Sequence, residues 1–357
     1  MLIFDAHLDL SLNGMDYGRD LRRSVPDIRA LEKGRKDLGG RGAGTVAFPE
    51  MRRGQIGLSV ATVLAPCRQP ENPLFGWHSP EQGWAQIQGQ LAWYREMEQA
   101  GELVQIRNRS SLREQFGIWK TPTDSRRPLA YVLSLEGADP LVDLSYLEKL
   151  VEQGLRAIGP VHYGRGRYGF GTDASGGFPP QGKDLLKEMD RLGLVLDVTH
   201  LCDVGVDEAL DIFEGPVWAS HSNCRALVNH NRQFSEEHLR RLIERGAVIG
   251  GVMDAWMMVP GWIRGTTTRE SSGVMLSHLI DHIDHICQLA GNADHSGIGS
   301  DLDGGFGTEQ SPGDVDTIAD LQKLPDLFRD RGYSPADIEK ILHGNFVRFL
   351  ETALPEN

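Results

Sequence analysis

The 357-residue chain has no apolar stretch approaching the roughly 20 residues that a membrane-spanning helix requires. It is short of positive charge: 37 Lys and Arg against 50 Asp and Glu leave a formal charge of −13. Nucleic-acid binding draws on basic patches, so no nucleic-acid partner is expected. The four cysteines, Cys67, Cys202, Cys224 and Cys287, lie far apart and form no CxxC pair. Reduced, mostly buried thiols are expected rather than a disulfide framework. No repeat at a fixed period and no low-complexity tract is present, which sets repeat arrays aside. The N-terminus lacks a basic segment followed by an apolar one, and Glu351-Thr-Ala-Leu-Pro-Glu-Asn357 lacks a lipid-anchor tail. A cytoplasmic location without a membrane partner is expected, although a leader removed ahead of residue 1 would leave the same chain.

What the chain does have is an ordinary soluble composition, 40% apolar and 24% charged, with eight apolar runs of strand length. These are Leu2–His7, Leu58–Ala65, Leu129–Leu135, Leu155–Val161, Leu194–Thr199, Pro216–Ser220, Ala247–Met253 and His295–Ser300. Between most of them lie helical patterns that stop at glycine: Asp143–Gln153 before Gly154, Gly182–Leu192 before Gly193, and Ser235–Arg245 before Gly246. Ser235 is a natural N-cap, and Ser334-Pro335 opens the last helix. Alternating strand and helix predicts a parallel sheet. The length suits a (β/α)8 barrel of TIM type forming a single domain over residues 1–357. Two insertions follow early strands, Leu12–Gly57 and Cys67–Gly117, the second with a Trp- and Gln-rich helix near Pro80–Gly101. Parts of both are expected over the catalytic face as lid or rim.

Acids and histidines punctuate the ends of these runs. His7 and Asp9 follow the first, Glu136 the third, His162 the fourth, His200 the fifth, His221 the sixth, and Asp301 and Asp303 the eighth. Strand ends distant in sequence meet at the C-terminal face of a parallel barrel, where such folds place their chemistry. His7 and Asp9, two apart, point the same way and can share a metal. A carboxylate at Glu136 is either a satisfied structural acid or a ligand able to bridge two cations. One of Asp301 and Asp303 can act as a general base and the other as a loop-fixing acid. The grouping points to a metal-dependent hydrolase.

Several segments resemble the membrane (renal) dipeptidase family of zinc peptidases, within the amidohydrolase superfamily. They are Phe4-Asp-Ala-His-Leu-Asp-Leu10, Ser134-Leu-Glu-Gly137, Gln181–Gly193, Leu196-Asp-Val-Thr-His200, Ala219-Ser-His-Ser222, Asn229-His-Asn-Arg232, Ile298–Gly304 and Gly344-Asn-Phe346. The resemblance implies a zinc dipeptidase with two zinc ions per chain, His7 and Asp9 holding one, His200 and His221 the other, and Glu136 bridging. A hydroxide shared by the metals would attack the peptide carbonyl. Asp301 would carry the proton to the leaving amine, His162 would stabilise the oxyanion, and Arg232 would grip the substrate carboxylate. Dipeptides, L,L and also L,D, are the substrates implied, and a homodimer stands as an alternative to a monomer. The chain departs from the family pattern at Leu8, Ser11 and Ala138, after His162 and across Asp254-Ala-Trp-Met-Met258. Substrate preference is therefore the property expected to differ.

His278, His282 and His285 share one helix with Asp281 and Asp284 and read as a polar, partly solvated outer face rather than a second metal site. His78, His230, His238 and His343 read as surface or structural, and Cys202 as too far to add a thiolate. The glycine-rich run Gly39–Gly44 is no phosphate loop, since no Lys-Ser/Thr follows it. The rival functions are hydrolysis of another small amide, lactone, phosphoester or β-lactam on the same site, and a binding protein that kept the barrel.

Overall fold

The computed structural model describes residues 1–69, 76–121 and 126–356; residues 70–75 of the second insertion, 122–125 and 357 lie outside the described residues. Each of the eight apolar runs is a strand. They are β1 (Ile3–Leu8), β2 (Ile56–Val63), β4 (Leu129–Glu136), β5 (Leu155–Gly159), β6 (Val195–Asp197), β7 (Val217–Trp218), β8 (Ile249–Gly251) and β9 (Ser296–Ile298). Every residue of β2 and of β4 is buried. Strands covered on both faces need continuous apolar runs rather than alternation. The order is β7-β6-β5-β4-β2-β1-β9-β8, each pairing parallel. A parallel bridge from Ala219 to Ile249 joins the two ends of that order, so the strands form a nearly closed barrel.

A ninth strand, β3 (Leu103–Gln105), was not anticipated. It pairs with Leu129, Ala130 and Tyr131 of β4, on the stretch before β5 begins its own pairing at Leu133. Unpaired backbone there would be buried without partners. Three residues carry no periodicity, so only the vacant edge of β4 reveals this strand.

Helix punctuation works as the sequence suggests. The helix Pro180–Leu192 ends at Gly193 with φ +65°, and Ser235 accepts from the His238 amide at the start of Glu236–Glu244. The Trp- and Gln-rich helix spans Pro80–Gln99. Phe346, in the last helix (Asn345–Ala353), stacks on Phe4 of β1 at 5.3 Å. All four cysteines are free and buried. Among the described residues no helix is long and apolar enough to cross a membrane.

One expectation is corrected in the helix Leu276–Ala290. His282 is not on a solvated face but buried, accepting the Cys224 amide at Nδ1 and facing the Met258 carbonyl with Nε2. Its position on the inner stripe of the helix, one turn from Leu279 and Ile286, brings it under the loops that follow β7 and β8.

Where the barrel closes, two glycines face one oxygen. A Cβ on Gly250 would lie 2.0 Å from the Ser220 carbonyl oxygen, and one on Gly299 would lie 1.8 Å from it. Backbone cannot yield as a flexible side chain can, so Gly250→Ala and Gly299→Ala should each cost about 3 kcal/mol or more. Urea denaturation midpoints test this; a midpoint within error of the parent would show that the closure is looser than described.

Candidate active site

The C-terminal strand ends hold His7, Asp9, Glu136, His200, His221 and Asp301 close together, and two buried aspartates set that arrangement. The Asp5 carboxylate accepts the His7 amide at 3.2 Å and the Ser300 amide at 2.8 Å, with the Ser300 hydroxyl at 2.5 Å on its other oxygen. It therefore stitches the end of β1 to the end of β9, fixing His7 against Asp301. Asp197 does the same between β6 and β7. Its Oδ1 accepts the amides of Thr199 at 3.0 Å and Ser220 at 3.1 Å, each one residue before a site histidine. Burial raises both carboxyls above their ordinary range, Asp5 to about 6. Both aspartates were visible in the motifs; their positioning role was not, because it lies in cross-strand amides.

His200 and Asp301 adopt left-handed backbone, with φ +69° and +57°. Such conformations cost non-glycine residues of the order of 1 kcal/mol and persist where the surroundings over-determine them. Gly304 takes part, since a Cβ there would lie 1.9 Å from Asp301 Oδ1.

At the centre, Glu136 divides its carboxylate. Oε2 lies 3.7 Å from His7 Nε2, while Oε1 lies 3.3 Å from His200 Nε2 and 3.8 Å from His221 Nε2. His7 Nε2 is also 3.6 Å from Asp9 Oδ1 and 3.8 Å from Asp301 Oδ1, yet it is buried with no hydrogen-bond partner. Asp9 is held by the Thr62 hydroxyl. His221 Nδ1 meets the Ser220 hydroxyl at 2.8 Å, which orients its Nε2 inward. Burial, and next the Arg232 charge, depresses His7 to about 3 and holds His200 well below the usual imidazole range; burial likewise depresses His221, with the His7 charge next. Burial and neighbouring acids raise Glu136 and Asp301 well above theirs.

Imidazole nitrogens thus face crowded carboxylate oxygens at 3.3–3.8 Å, an arrangement that could hold cations. Three groups of donor atoms close enough to hold an ion occur there: His7, Asp9 and Glu136; His7, His221 and Asp301; and Glu136, His162 and His200. All are nitrogen and oxygen donors, the set that catalytic zinc uses.

The remaining expected residues are placed as follows. His162 stands on the cavity wall, 28% exposed, with Nε2 4.0 Å from Glu136 Oε1. Arg232 is buried behind His200; Nη1 donates to Ser222 Oγ, while Nη2 donates to the His221 carbonyl and faces His200 Nε2 at 3.2 Å. Asp303 is the loop-fixing acid, accepting the amides of Thr45 and Val46 and pairing with Arg19. Cys202 Sγ turns to the Gly176 carbonyl. The site opens into a cavity of about 490 Å³ whose wall includes Leu12 and Gly39 of the first insertion. That cavity also shows Tyr163 and Asp254, from the two segments that depart from the family pattern, and Arg264 and Gln310, which no motif marks as site residues.

A model of the membrane dipeptidase family, peptidase family M19, matches residues 1–355. The chain belongs to that family. The dipeptidase tcpJ of Claviceps purpurea is 32% identical over 177 residues, 49% of this chain and 38% of that protein. The dipeptidase aclJ of Aspergillus oryzae is 25% identical over 317 residues, 86% of this chain and 69% of that protein. The chain thus spans well under two thirds of the Claviceps relative's length. In fold it is similar to a Rhodobacter sphaeroides metallopeptidase liganded with a phosphinate mimic of L-Ala-D-Ala. That structure superposes with a TM-score of 0.78 at 22% identity over 99% of both chains. The probable dipeptidase PvdM of Pseudomonas aeruginosa gives 0.77 at 21%, covering 99% of this chain and 95% of its own.

The stitching aspartates of this M19 chain carry a test. Groups that orient metal-binding histidines typically contribute 10–100-fold in metal affinity. If the site takes up metal, Asp197→Ala should weaken that binding by about that factor and Asp197→Asn, which keeps one acceptor oxygen, by less. Competition against a chromophoric chelator reads this directly; parent-like affinity in the alanine variant would remove Asp197 from the site's support.

Proposed function

We propose that this protein is a metal-dependent dipeptidase, a single domain over residues 1–357 that holds two zinc ions and cleaves dipeptides bearing a free C-terminal carboxylate. The observation that carries the reading is the divided Glu136 carboxylate, one oxygen toward His7 and Asp9 and the other toward His200 and His221. Those five residues would hold the cations. Bound there, the ions would acidify water to a nucleophile at neutral pH and polarise the substrate carbonyl.

The chain's own groups would do the rest. Asp301, opening onto the cavity beside His7, would take the proton of the attacking water and return it to the leaving amine. His162, on the opposite side of Glu136, would stabilise the developing oxyanion. Arg232 would anchor the terminal carboxylate. Its Nε has no partner, and a cation on His200 Nε2 would claim the lone pair that Nη2 now faces. A cavity of about 490 Å³ suits a dipeptide and is small for a long chain. The phosphinate of L-Ala-D-Ala in the R. sphaeroides neighbour supports including L,D dipeptides among the substrates. Free buried thiols and a charge of −13 fit a cytoplasmic protein, monomeric or homodimeric, without nucleic-acid partners.

Zinc content and cleavage of an L,L and L,D dipeptide panel test this reading together. About two zinc per chain with chelator-sensitive cleavage is expected; metal without cleavage would favour another hydrolase on the same site, and no metal after reconstitution would defeat both. Asp301→Asn should keep its zinc and lose turnover by about 10²–10⁴-fold. Arg232→Met should raise KM by about 10–100-fold for free dipeptides but not for C-terminally amidated ones. Equal losses on both would exclude the anchor.

A further inference from the structure

Asp254 and Arg264, which the segment after β8 brings to the cavity wall, form with the buried Trp256 a stacked assembly that neither the metal donors nor the proposed catalytic groups use. Asp254 is buried, and both its oxygens already take donors from the chain. Gln310 Nε2 donates to Oδ1 at 2.8 Å and the Trp256 indole N–H donates to Oδ2. Asn223 fixes the segment from beneath, donating to the Val252 carbonyl at 3.0 Å and the Met257 carbonyl at 3.2 Å. The His230 ring packs against Trp256 at an interplanar angle of 72°, with centroids 4.7 Å apart. The indole is therefore a fixed platform, and the Arg264 guanidinium lies over it, 4.5 Å from a ring centroid.

Arg264 itself is unspent. Among the described residues it makes no hydrogen bond, its side chain is 55% exposed, and its nearest carboxylate oxygen is Asp254 Oδ2 at 3.8 Å. That oxygen is already engaged by Trp256. A guanidinium stacked on an aromatic face keeps its in-plane N–H groups for a partner, and their fork matches a carboxylate in two parallel bonds. Arg232, by contrast, is buried behind His200, its terminal nitrogens turned to Ser222, His221 and His200 and its Nε without a partner. The two arginines are thus suited to different anions, one inside beside the metal donors and one at the cavity mouth.

We propose that Arg264, held on the Trp256 indole, is a specificity residue that receives a side-chain carboxylate, so that this enzyme prefers dipeptides containing aspartate or glutamate. The proposal rests on the dipeptidase reading, in which Arg232 takes the main-chain carboxylate and leaves a second anionic group for Arg264. On a protein of charge −13 an acidic substrate is repelled at long range, which makes a dedicated cation at the mouth the needed counterweight.

The test uses the zinc-loaded protein and the dipeptides Ala-Asp, Asp-Ala, Ala-Ala, Ala-Lys and Lys-Ala. For the parent, kcat/KM on at least one acidic dipeptide should exceed that on Ala-Ala by about tenfold, the worth of one charge-assisted pair. Arg264→Gln should erase that ratio, Arg264→Lys should restore part of it, and Arg264→Glu should turn the preference toward the lysine dipeptides. Arg264 is exposed, so these variants leave the core intact. No acidic preference in the parent, or a ratio unchanged in Arg264→Gln, overturns the proposal. Failure of the parent to cleave any dipeptide would instead overturn the dipeptidase reading. Calorimetric binding of Ala-Asp then decides the Arg264 assignment separately: about tenfold weaker binding to Arg264→Gln supports it and equal binding rejects it.

Discussion

Asp9, Glu136 and Asp301 crowd around one buried histidine nitrogen, and that crowding is the constraint the rest of the molecule serves. His7 Nε2 sees an oxygen of each at 3.6–3.8 Å without a hydrogen bond to any. Buried like charges oppose one another, and buried imidazoles resist protonation, so the set is unfavourable by itself. Bound cations would turn repulsion among the carboxylates into attraction and use the imidazole lone pairs, and the closed barrel has to tolerate the crowding.

How the barrel tolerates it is visible in the backbone. Left-handed residues at His200 and Asp301 aim two side chains inward that ordinary strand geometry would aim elsewhere. Asp5 and Asp197 hold these ends by accepting amides from two strands each. Their own carboxyls are raised by burial, a cost offset by the bonds they accept. Gly250 and Gly299 let the strands meet over the carbonyl of Ser220, the residue that precedes His221. Strain, stitching and close approach act together at this end of the barrel.

The two walls of the cavity divide the work by how they are built. One wall is strand ends, rigid and tied by cross-strand amides, and it carries the groups that would hold metal and move the proton. The other carries Asp254 and Arg264 from the segment after β8 and Gln310 from the segment after β9, and its rigidity comes from side chains: an acid holding an indole and an indole carrying a guanidinium. Chemistry on strand ends and recognition on loops is the usual division in such barrels.

The sequence alone determined the eight barrel strands, their parallel arrangement and the identity of the residues gathered at one face. The physical reason is that strands buried on both sides must be uninterrupted apolar runs, so a polar residue at a run's end stands out. Family segments from Phe4 to Phe346 carried the same information independently. The tertiary structure decided what depends on neighbours distant in the chain. It added β3, which exists because β4 had a vacant edge beside Leu129–Tyr131. It buried His282 under the loops after β7 and β8, and it separated Asp301 from Asp303 by giving one the cavity and the other Arg19 and the Thr45 amide. It also turned Asp5 and Asp197 into braces and set Arg264 on Trp256. Local sequence shows which residues a strand end carries; only the folded chain shows which amide, ring or carboxylate from another strand stands opposite, because hydrogen bonds and burial are settled by partners that no local pattern encodes.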